Sequence, residues 1–456
     1  MRSRGAWVFV ILLLALCAVQ IWLGQRIAGQ VNFRTDEFDQ GAYVLMAQKM
    51  KGSLYPWYSD GTRNPLVPWL AQMWADPDSE GFFEAAKRMN VWIGGLGTLV
   101  VGWIFVRRAG FAGAFAGAAV AGGAILLPSS TFLGAETLFF VLFLAVFVWG
   151  VGMFRANPLW SYAVFGLLAG AAYLAKPSAS PFVAMALGLG GVRAVWEWVR
   201  PADGRWRPSN ALLGILVFAA GYLPVVAPRM VHAHATWGSP FYSLPSCWFW
   251  ADSWEDCVTK YTDCRAATIA AMPPAQRPTV SGYFMRHSVS DAVRRVLTGA
   301  GERARQFVFP EKKFRIPFDG PGKPRRAVLP YRGLYVTALG LLAVVMGLFA
   351  WRAVGGAMIG RGMFWAGLLF LATWAVYLAA MGWYLPTGPG HRFILTLYLP
   401  TLWVFLTVGE RWRRASGSPP AGWIFLAGCL LASGLVMWRF LAVLPSAGFE
   451  KILYTF

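Results

Sequence analysis

Residues 33–50 read FRTDEFDQGAYVLMAQKM and place three carboxylates, Asp36, Glu37 and Asp39, directly after the first apolar segment of a chain that is otherwise poor in acids. As helix caps, Asp36 would be the N-cap and the acids of the first turn would complement the helix dipole. As catalytic groups, carboxylates fixed at a helix start just above the bilayer edge would be positioned and partly desolvated, as a general base requires. The two interpretations are compatible, and both stay open at this point.

The composition predicts a membrane protein. The 456 residues are 57% hydrophobic and 14% charged, whereas soluble domains carry roughly 25% charge. The apolar stretches have the roughly 17–25 residues that cross a bilayer as a helix. The net charge of +20 lies in loops between these stretches, where membrane topology explains it, so nucleic acid is excluded as a partner.

The hydrophobic pattern predicts an all-α polytopic membrane protein with about eleven transmembrane helices, at residues 7–23, 91–106, 111–127, 132–153, 159–174, 178–192, 209–227, 331–350, 362–381, 392–408 and 421–443. The first span is interpreted as a retained signal anchor. With the N-terminus in the cytoplasm, every inner turn carries arginine, as the positive-inside rule requires.

This topology sorts the charged residues between the two faces. Lys176 and Arg392 are the lone cations of two short outer turns. All but three of the 21 acids fall on the outer side or at its membrane edge, the exceptions being Glu197, Asp203 and Glu410. Polar chemistry is therefore expected on the outer face.

The spans divide the chain into three parts: an N-terminal membrane module (1–227) with a first outer loop (24–90), a long second outer loop (228–330) and C-terminal helices (331–456). In the first loop, one helical face predicts amphipathic juxtamembrane helices lying on the membrane surface; its residues are Phe38, Ala42, Leu45 and Met46. In the second loop, three cysteines predict one disulfide with an unpaired thiol left over if the loop lies outside the cytoplasm; they are Cys247, Cys257 and Cys264.

Six segments resemble one enzyme family. DQGAYVLMA (39–47) is similar to the first-loop motif, an Asp followed four positions on by Tyr and eight on by Ala, of polyprenyl-phosphate-sugar-dependent glycosyltransferases with the GT-C membrane fold. Protein O-mannosyltransferases and the lipid A aminoarabinose transferase belong to that group. Further segments resemble the family in the same order: DGTRNPLVPWL, AAKRMNVWIG, LGAETLFFVLFL, GLLAGAAYLAKPSA and GHRFILTLYLP. The C-terminal span and the second outer loop are not covered.

The resemblance implies transfer of a sugar from a polyprenyl-phosphate donor to an acceptor hydroxyl, with inversion and with an aspartate as general base. The family's adjacent Asp-Glu pair, matched literally, chooses Asp36 and Glu37. The spacing to Tyr43 and Ala47 instead chooses Asp39, which we prefer. Asp36 and Asp39 are three residues apart and would share a helix face, so either could reach the same cavity.

The lipid phosphate needs cations. The resemblance and the topology assign Lys176 and Arg392 to this role, although snorkelling anchors at helix ends would look the same. The remaining candidates for binding phosphate or sugar are Arg63, Arg88, His391, Tyr43 and Glu136, the last of which would line the cavity or hold one of the cations.

No metal is assigned. The sequence HAHA at 232–235 suggests ligands, yet two histidines two positions apart on a helix face different ways. The expected partners are a polyprenyl-phosphate-linked sugar, a glycan, lipid or protein acceptor, and membrane lipids. A bacterial inner membrane with a periplasmic site fits the Arg, Ala, Trp and Gly content.

The alternative function is a polytopic transporter or lipid flippase, for which paired repeats and polar groups near the bilayer midplane are typical. Within the enzyme class, an oligosaccharyltransferase is disfavoured because the sequence contains no Trp-Trp-Asp signature.

Overall fold

The computed structural model describes residues 2–29, 32, 35, 39–200, 206–308, 361–388, 391–416 and 419–443. The described residues form helices, turns and loops without any strand. The predicted all-α class is therefore confirmed. The span predicted at 331–350 lies outside the described residues.

The helices are, in chain order, α1 (Arg2–Ala28), α2 (Gln40–Lys49), α3 (Leu66–Trp74), α4 (Phe82–Ala121), α5 (Leu127–Ser130), α6 (Glu136–Met153), α7 (Leu159–Ala175), α8 (Ser180–Val199), α9 (Pro208–Trp237), α10 (Leu244–Trp248), α11 (Trp254–Thr259), α12 (Ala266–Ala271), α13 (Val280–Phe284), α14 (Val289–Val308), α15 (Arg361–Trp383), α16 (Tyr398–Ser416) and α17 (Pro419–Val443). A π-helical turn, Gly122–Leu126, joins α4 to α5. Short 3₁₀ helices occur at Pro177–Ala179, Pro274–Gln276, Leu385–Thr387 and His391–Leu397.

Seven helical segments of the described chain are long and apolar enough to cross a membrane: Gly5–Ala28, Phe82–Ser130, Glu136–Met153, Pro177–Val199, Pro208–Trp237, Gly362–Trp383 and Phe393–Arg414. Two shorter apolar helices are Leu159–Ala175 and Trp423–Leu435. The backbone breaks inside α4 at Gly110, with φ 67° and ψ 178°. This break divides the longest segment in two at the turn that the sequence predicts. The polytopic character is confirmed, and the count of eleven stays a prediction.

The helices pack around α4 and α6 through small residues and aromatic rings. Helices α7 and α9 approach backbone to backbone, because a Cβ atom at Gly166 would lie 2.3 Å from the carbonyl oxygen of Phe218. Close contact through small residues is the usual way in which transmembrane helices associate. On the other side of α6, the ring of Phe143 meets those of Phe182 and Tyr377 at centroid distances of 5.6 and 5.7 Å.

Two elements differ from the prediction. Helix α9 continues to Trp237, ten residues past the predicted end, with Pro224 and Pro228 inside it. Helix α2 buries Gln40, Tyr43, Met46 and Ala47, whereas Leu45 of the predicted face is 63% exposed. The buried face is set by packing against α3 and α4 rather than by the membrane surface.

The second outer loop folds around its cysteines. Cys247 and Cys264 form a disulfide, and Cys257 is a buried free thiol. Hydrogen bonds attach the loop to the end of α15; in two of them Trp383 Nε1 donates to the carbonyl of Phe249 (2.6 Å), and Arg295 Nε donates to that of Trp383 (2.7 Å). The loop is thus part of the folded structure rather than a tether.

Burial raises the pKa of the Cys257 thiol to about 11, with the Asp256 charge as a second cause. Because the thiolate is the reactive form, we expect native protein to resist maleimide at all three loop cysteines. Mass spectrometry should find one new label in this loop after denaturation and three after denaturation with reduction. Rapid labelling of Cys257 in native protein, or labelling of Cys247 or Cys264 before reduction, would contradict this arrangement.

Candidate functional site

Asp39 immediately precedes α2, but its side chain makes no capping hydrogen bond. Its Oδ1 atom instead accepts hydrogen bonds from Arg63 Nε (3.1 Å) and Nη2 (2.6 Å). Arg63 Nη1 donates to Asp60 Oδ2 at 2.7 Å. Burial alone would lower the pKa of the Arg63 guanidinium, but the charges of Asp39 and Asp60 outweigh it and raise that pKa above its usual value. The capping role considered for the acids therefore does not apply to Asp39.

The loop that presents Arg63 is rigidly built. Asp60 Oδ1 accepts from the backbone N–H groups of Thr62 (2.8 Å) and Arg63 (2.6 Å), which is the Asx-turn arrangement. The Ser59 hydroxyl donates to the Arg63 carbonyl at 2.6 Å. From the second outer loop, the Leu244 N–H donates to the Gly61 carbonyl at 2.8 Å. The two outer loops therefore fix Arg63 jointly.

A second ion pair joins Glu136 and Lys176, with Lys176 Nζ 2.8 Å from Glu136 Oε1. Glu136 is the first residue of α6, and Lys176 directly follows α7. The side chains are only 10% and 15% exposed. Lys176 Nζ also lies 4.4 Å from the centre of the Phe393 ring, within cation–π range. Glu136 and Lys176 thus pair with each other, and the binding role predicted for each stays a prediction.

Two buried amide side chains link the ion pairs. Gln40, next to Asp39, accepts through Oε1 from the N–H of Leu133 at 3.0 Å, three residues before Glu136. Asn64, next to Arg63, donates through Nδ2 to the carbonyl of Tyr173, three residues before Lys176. Gln40 is 0% and Asn64 3% exposed. These hydrogen bonds hold the Asp39–Arg63 and Glu136–Lys176 pairs side by side at one end of the helices.

The structure thus brings together four of the predicted residues, Asp39, Arg63, Glu136 and Lys176. For two others the structure shows these contacts. Tyr43 donates its N–H to the Asp39 carbonyl at 3.2 Å and is buried in a cluster with Val67 and Phe82. Arg88 is exposed, and its carbonyl accepts a hydrogen bond from Gln25 Nε2 at 3.2 Å.

Four predicted residues cannot be placed fully. Asp36 and Glu37 lie outside the described residues, as do the side chains of His391 and Arg392. The backbone of His391 and Arg392 begins the 3₁₀ helix that carries Phe393, so both directly precede that residue along the chain.

Sequence reasoning missed Asp60 and Asn64, which flank Arg63 in DGTRNP. The Asp-Gly dipeptide is a turn signal and was the available hint. The two histidines of HAHA diverge as predicted: the ring of His232 lies 4.9 Å from that of Trp57, whereas His234 is exposed. Within the described part of the chain, no group of three or more His, Cys, Asp or Glu residues could hold a metal ion.

Comparison with known proteins gives matches among solved structures alone, since no family model and no curated protein matches the sequence. The oligosaccharyltransferase of Archaeoglobus fulgidus in its apo form matches with a TM-score of 0.50 and 13% identity, over 95% of this chain and 55% of that chain. The same figures hold for that enzyme, AglB, in complex with an inhibitory peptide and a dolichol-phosphate. ArnT from Cupriavidus metallidurans bound to undecaprenyl phosphate matches with a TM-score of 0.36 and 18% identity, over 86% of this chain and 77% of that chain.

These matches concern the fold. The chain spans about half the length of the archaeal oligosaccharyltransferase and shares its GT-C membrane fold, as the sequence motifs predicted. At 13% identity the match does not distinguish an oligosaccharyltransferase from other transferases of this fold.

Substitution of two glycines in the first outer loop tests whether contact between the two outer loops supports the site. Gly52 and Gly61 both have positive φ, 75° and 84°, where a side chain costs about 1–2 kcal/mol. A Cβ atom at Gly52 would meet nothing within 4 Å, whereas one at Gly61 would lie 2.9 Å from Tyr242 Cε1. We expect Gly61→Ala to lower the apparent Tm in detergent more than Gly52→Ala, and also to displace Arg63. Equal Tm shifts for the two variants would show that the contact between the loops contributes little.

Proposed function

We propose that this chain is a membrane glycosyltransferase that moves a sugar from a polyprenyl-phosphate donor to an acceptor hydroxyl. The observation that carries the proposal is that hydrogen bonds of Gln40 and Asn64 connect the segments bearing the Asp39–Arg63 and Glu136–Lys176 pairs at one end of a GT-C bundle. AglB, which shares the fold, has been solved with dolichol-phosphate, a polyprenyl-type lipid phosphate. The transporter alternative has no comparable support.

Asp39 is proposed as the general base. It takes the proton of the acceptor hydroxyl while that oxygen bonds to the anomeric carbon from the face opposite the leaving group. The bond between the anomeric carbon and the phosphate oxygen breaks, and polyprenyl phosphate leaves with the electron pair. The configuration at the anomeric carbon inverts. Arg63, bound to both Asp39 and Asp60, acts by orienting the carboxylate.

Lys176 and Arg392 are proposed to hold the lipid phosphate and to balance the charge that develops on it. Lys176 is suited to this because Glu136 and the Phe393 ring fix its ammonium group in a partly desolvated place, where electrostatic interactions are stronger than in water. Arg392 precedes Phe393 in the same 3₁₀ helix. His391 is a further candidate ligand on that helix.

The site is proposed to face the periplasm of a bacterial inner membrane, with the N-terminus in the cytoplasm. The disulfide Cys247–Cys264 supports this orientation, because disulfides persist in oxidising compartments. The loop that contains it also contacts Gly61 beside Arg63. The disulfide and the site therefore lie on the same face.

The base is tested with Asp39→Asn and, as a matched control, Asp60→Asn, since both carboxylates bind the same guanidinium. Purified protein is incubated with a panel of polyprenyl-phosphate sugars, and released polyprenyl phosphate is measured. We expect Asp39→Asn to lose about 10²–10⁴-fold in rate and Asp60→Asn to lose much less. A near-normal rate for Asp39→Asn with a collapsed rate for Asp36→Asn would move the base to Asp36.

The phosphate ligand is tested with Lys176→Gln, with Lys51→Gln as the control. Lys51 is an exposed lysine of the same outer face that pairs with Asp76 and Asp78. Loss of a charged hydrogen bond costs about 1.5–3 kcal/mol, so we expect the donor KM to rise at least about tenfold for Lys176→Gln alone.

Lys176→Gln also leaves Glu136 without this cation. The double variant Glu136→Gln/Lys176→Gln separates the two effects. If the double variant regains normal donor affinity, Lys176 serves only to neutralise Glu136, and the proposed phosphate contact is wrong.

A further inference from the structure

Three arginines from distant segments meet at the opposite end of the same helices. Arg108 precedes the α4 break, Arg155 follows α6, and Arg411 lies in α16. Residues next to these arginines in the sequence contact one another. A Cβ atom at Gly110 would lie 3.2 Å from the Glu410 carboxylate, and one at Gly362 would lie 3.5 Å from Arg155 Cα. Arg411 Nη1 lies 2.6 Å from the sulfur of Met363, the residue after Gly362. We call Arg108, Arg155 and Arg411 the arginine cluster.

The arginine cluster has no counter-charge among the described residues. None of its members forms an ion pair or a hydrogen bond with a carboxylate there. Two nearby arginines do form ion pairs: Arg413 and Arg414 both bind Glu410, at 2.7 and 2.8 Å. The Glu410 carboxylate therefore already pairs with two cations outside the arginine cluster.

The three guanidinium groups also interact with one another. Burial, followed by the charges of Arg108 and Arg411, lowers the pKa of Arg155 to about 10. Arg155 nevertheless remains charged at neutral pH. Arg155 and Arg411 are partly buried and Arg108 is exposed. The three like charges repel each other, and an anion bound between them would relieve that repulsion.

We propose that the arginine cluster binds the phosphate group of an anionic membrane lipid on the face opposite the candidate active site. Guanidinium forks match phosphate oxygens, and they bind them more strongly than neutral donors do. The cluster lies near the break in α4, after α6 and in the last third of α16, and basic sites between transmembrane helices on the cytoplasmic side are a known mode of headgroup recognition.

This site is separate from the proposed catalysis. Glu136 begins α6 and Arg155 follows its end, so an 18-residue helix separates them, or about 27 Å along the helix axis. A phosphate bound by the arginine cluster would connect α4, the segment after α6 and α16. Its expected effect is on the stability of the bundle and not on the chemical step.

The test measures the apparent Tm of full-length protein in neutral detergent as lipid is titrated in. The lipid arms are phosphatidylglycerol and phosphatidylcholine; the soluble arms are inorganic phosphate and glycerol phosphate. Variants Arg108→Gln, Arg155→Gln and Arg411→Gln are compared with Arg413→Gln and Arg414→Gln, which remove arginines that already pair with Glu410. Each charge near an anionic membrane is worth about 1 kcal/mol, so each cluster variant should need about fivefold more phosphatidylglycerol.

The proposal is supported if phosphatidylglycerol stabilises the wild type, phosphatidylcholine does not, and only the cluster variants lose the effect. Equal stabilisation by the soluble phosphates, lost in the same variants, supports the phosphate site but assigns it to a soluble ligand. The proposal is overturned if the two lipids act alike on the wild type, or if the control variants lose as much as the cluster variants. Native mass spectrometry of lipid retention gives the same comparison for any variant that is too unstable for melting.

Discussion

A charge within the hydrocarbon layer of a bilayer is costly unless an opposite charge or a hydrogen bond accompanies it, and this constraint determines where the described helices carry their polar groups. Glu136 begins α6 and Lys176 directly follows α7, so each is at a helix terminus rather than in the middle of a span. Arg413 and Arg414 occupy the last turns of α16 beside Glu410. The apolar middle of the bundle separates two polar ends. Among the described residues, the end with Asp39, Arg63, Glu136 and Lys176 combines carboxylates with cations from several segments.

The site at that end depends on support from parts of the chain outside the family-like motifs. Arg229 of α9 is 1% exposed and donates to the carbonyls of Pro240 (3.0 Å) and Tyr242 (2.6 Å). Its guanidinium carbon lies 5.7 Å from the centre of the Tyr173 ring, on the helix that ends at Lys176. Arg229 thereby links the start of the second outer loop to α7. The Tyr242 ring of that loop packs against Gly61. Since catalytic groups need firm surrounding contacts to keep their geometry, the second loop contributes to the site even though no motif identifies it.

The sequence was sufficient for features that follow from local pattern and topology. Apolar length located the described spans, the glycine after VRRA marked the break in α4, and helix direction placed Glu136 and Lys176 at the same end. It was insufficient where tertiary contacts decide. The predicted span ended at residue 227, whereas α9 continues to Trp237 with Pro224 and Pro228 inside it; proline is tolerated in membrane helices when neighbours satisfy the freed backbone groups. Arg63 binds two carboxylates because the fold brings Asp60 and Asp39 to the same guanidinium. The periodicity of the sequence does not reveal this arrangement.

Charge balance gives a physical reason for the late Arg-aromatic motif. Among the described side chains of the site, the three carboxylates of Asp39, Asp60 and Glu136 outnumber the two cations, Arg63 and Lys176, and leave one negative charge. A polyprenyl-phosphate sugar is itself an anion, so this arrangement alone would repel it. The sequence also carries Asp36 and Glu37 shortly before Asp39 and Arg392 immediately before Phe393, whose ring lies within cation–π range of Lys176. The proposed donor phosphate would therefore need a cation beyond the two described ion pairs, and Arg392 is the residue proposed for this role.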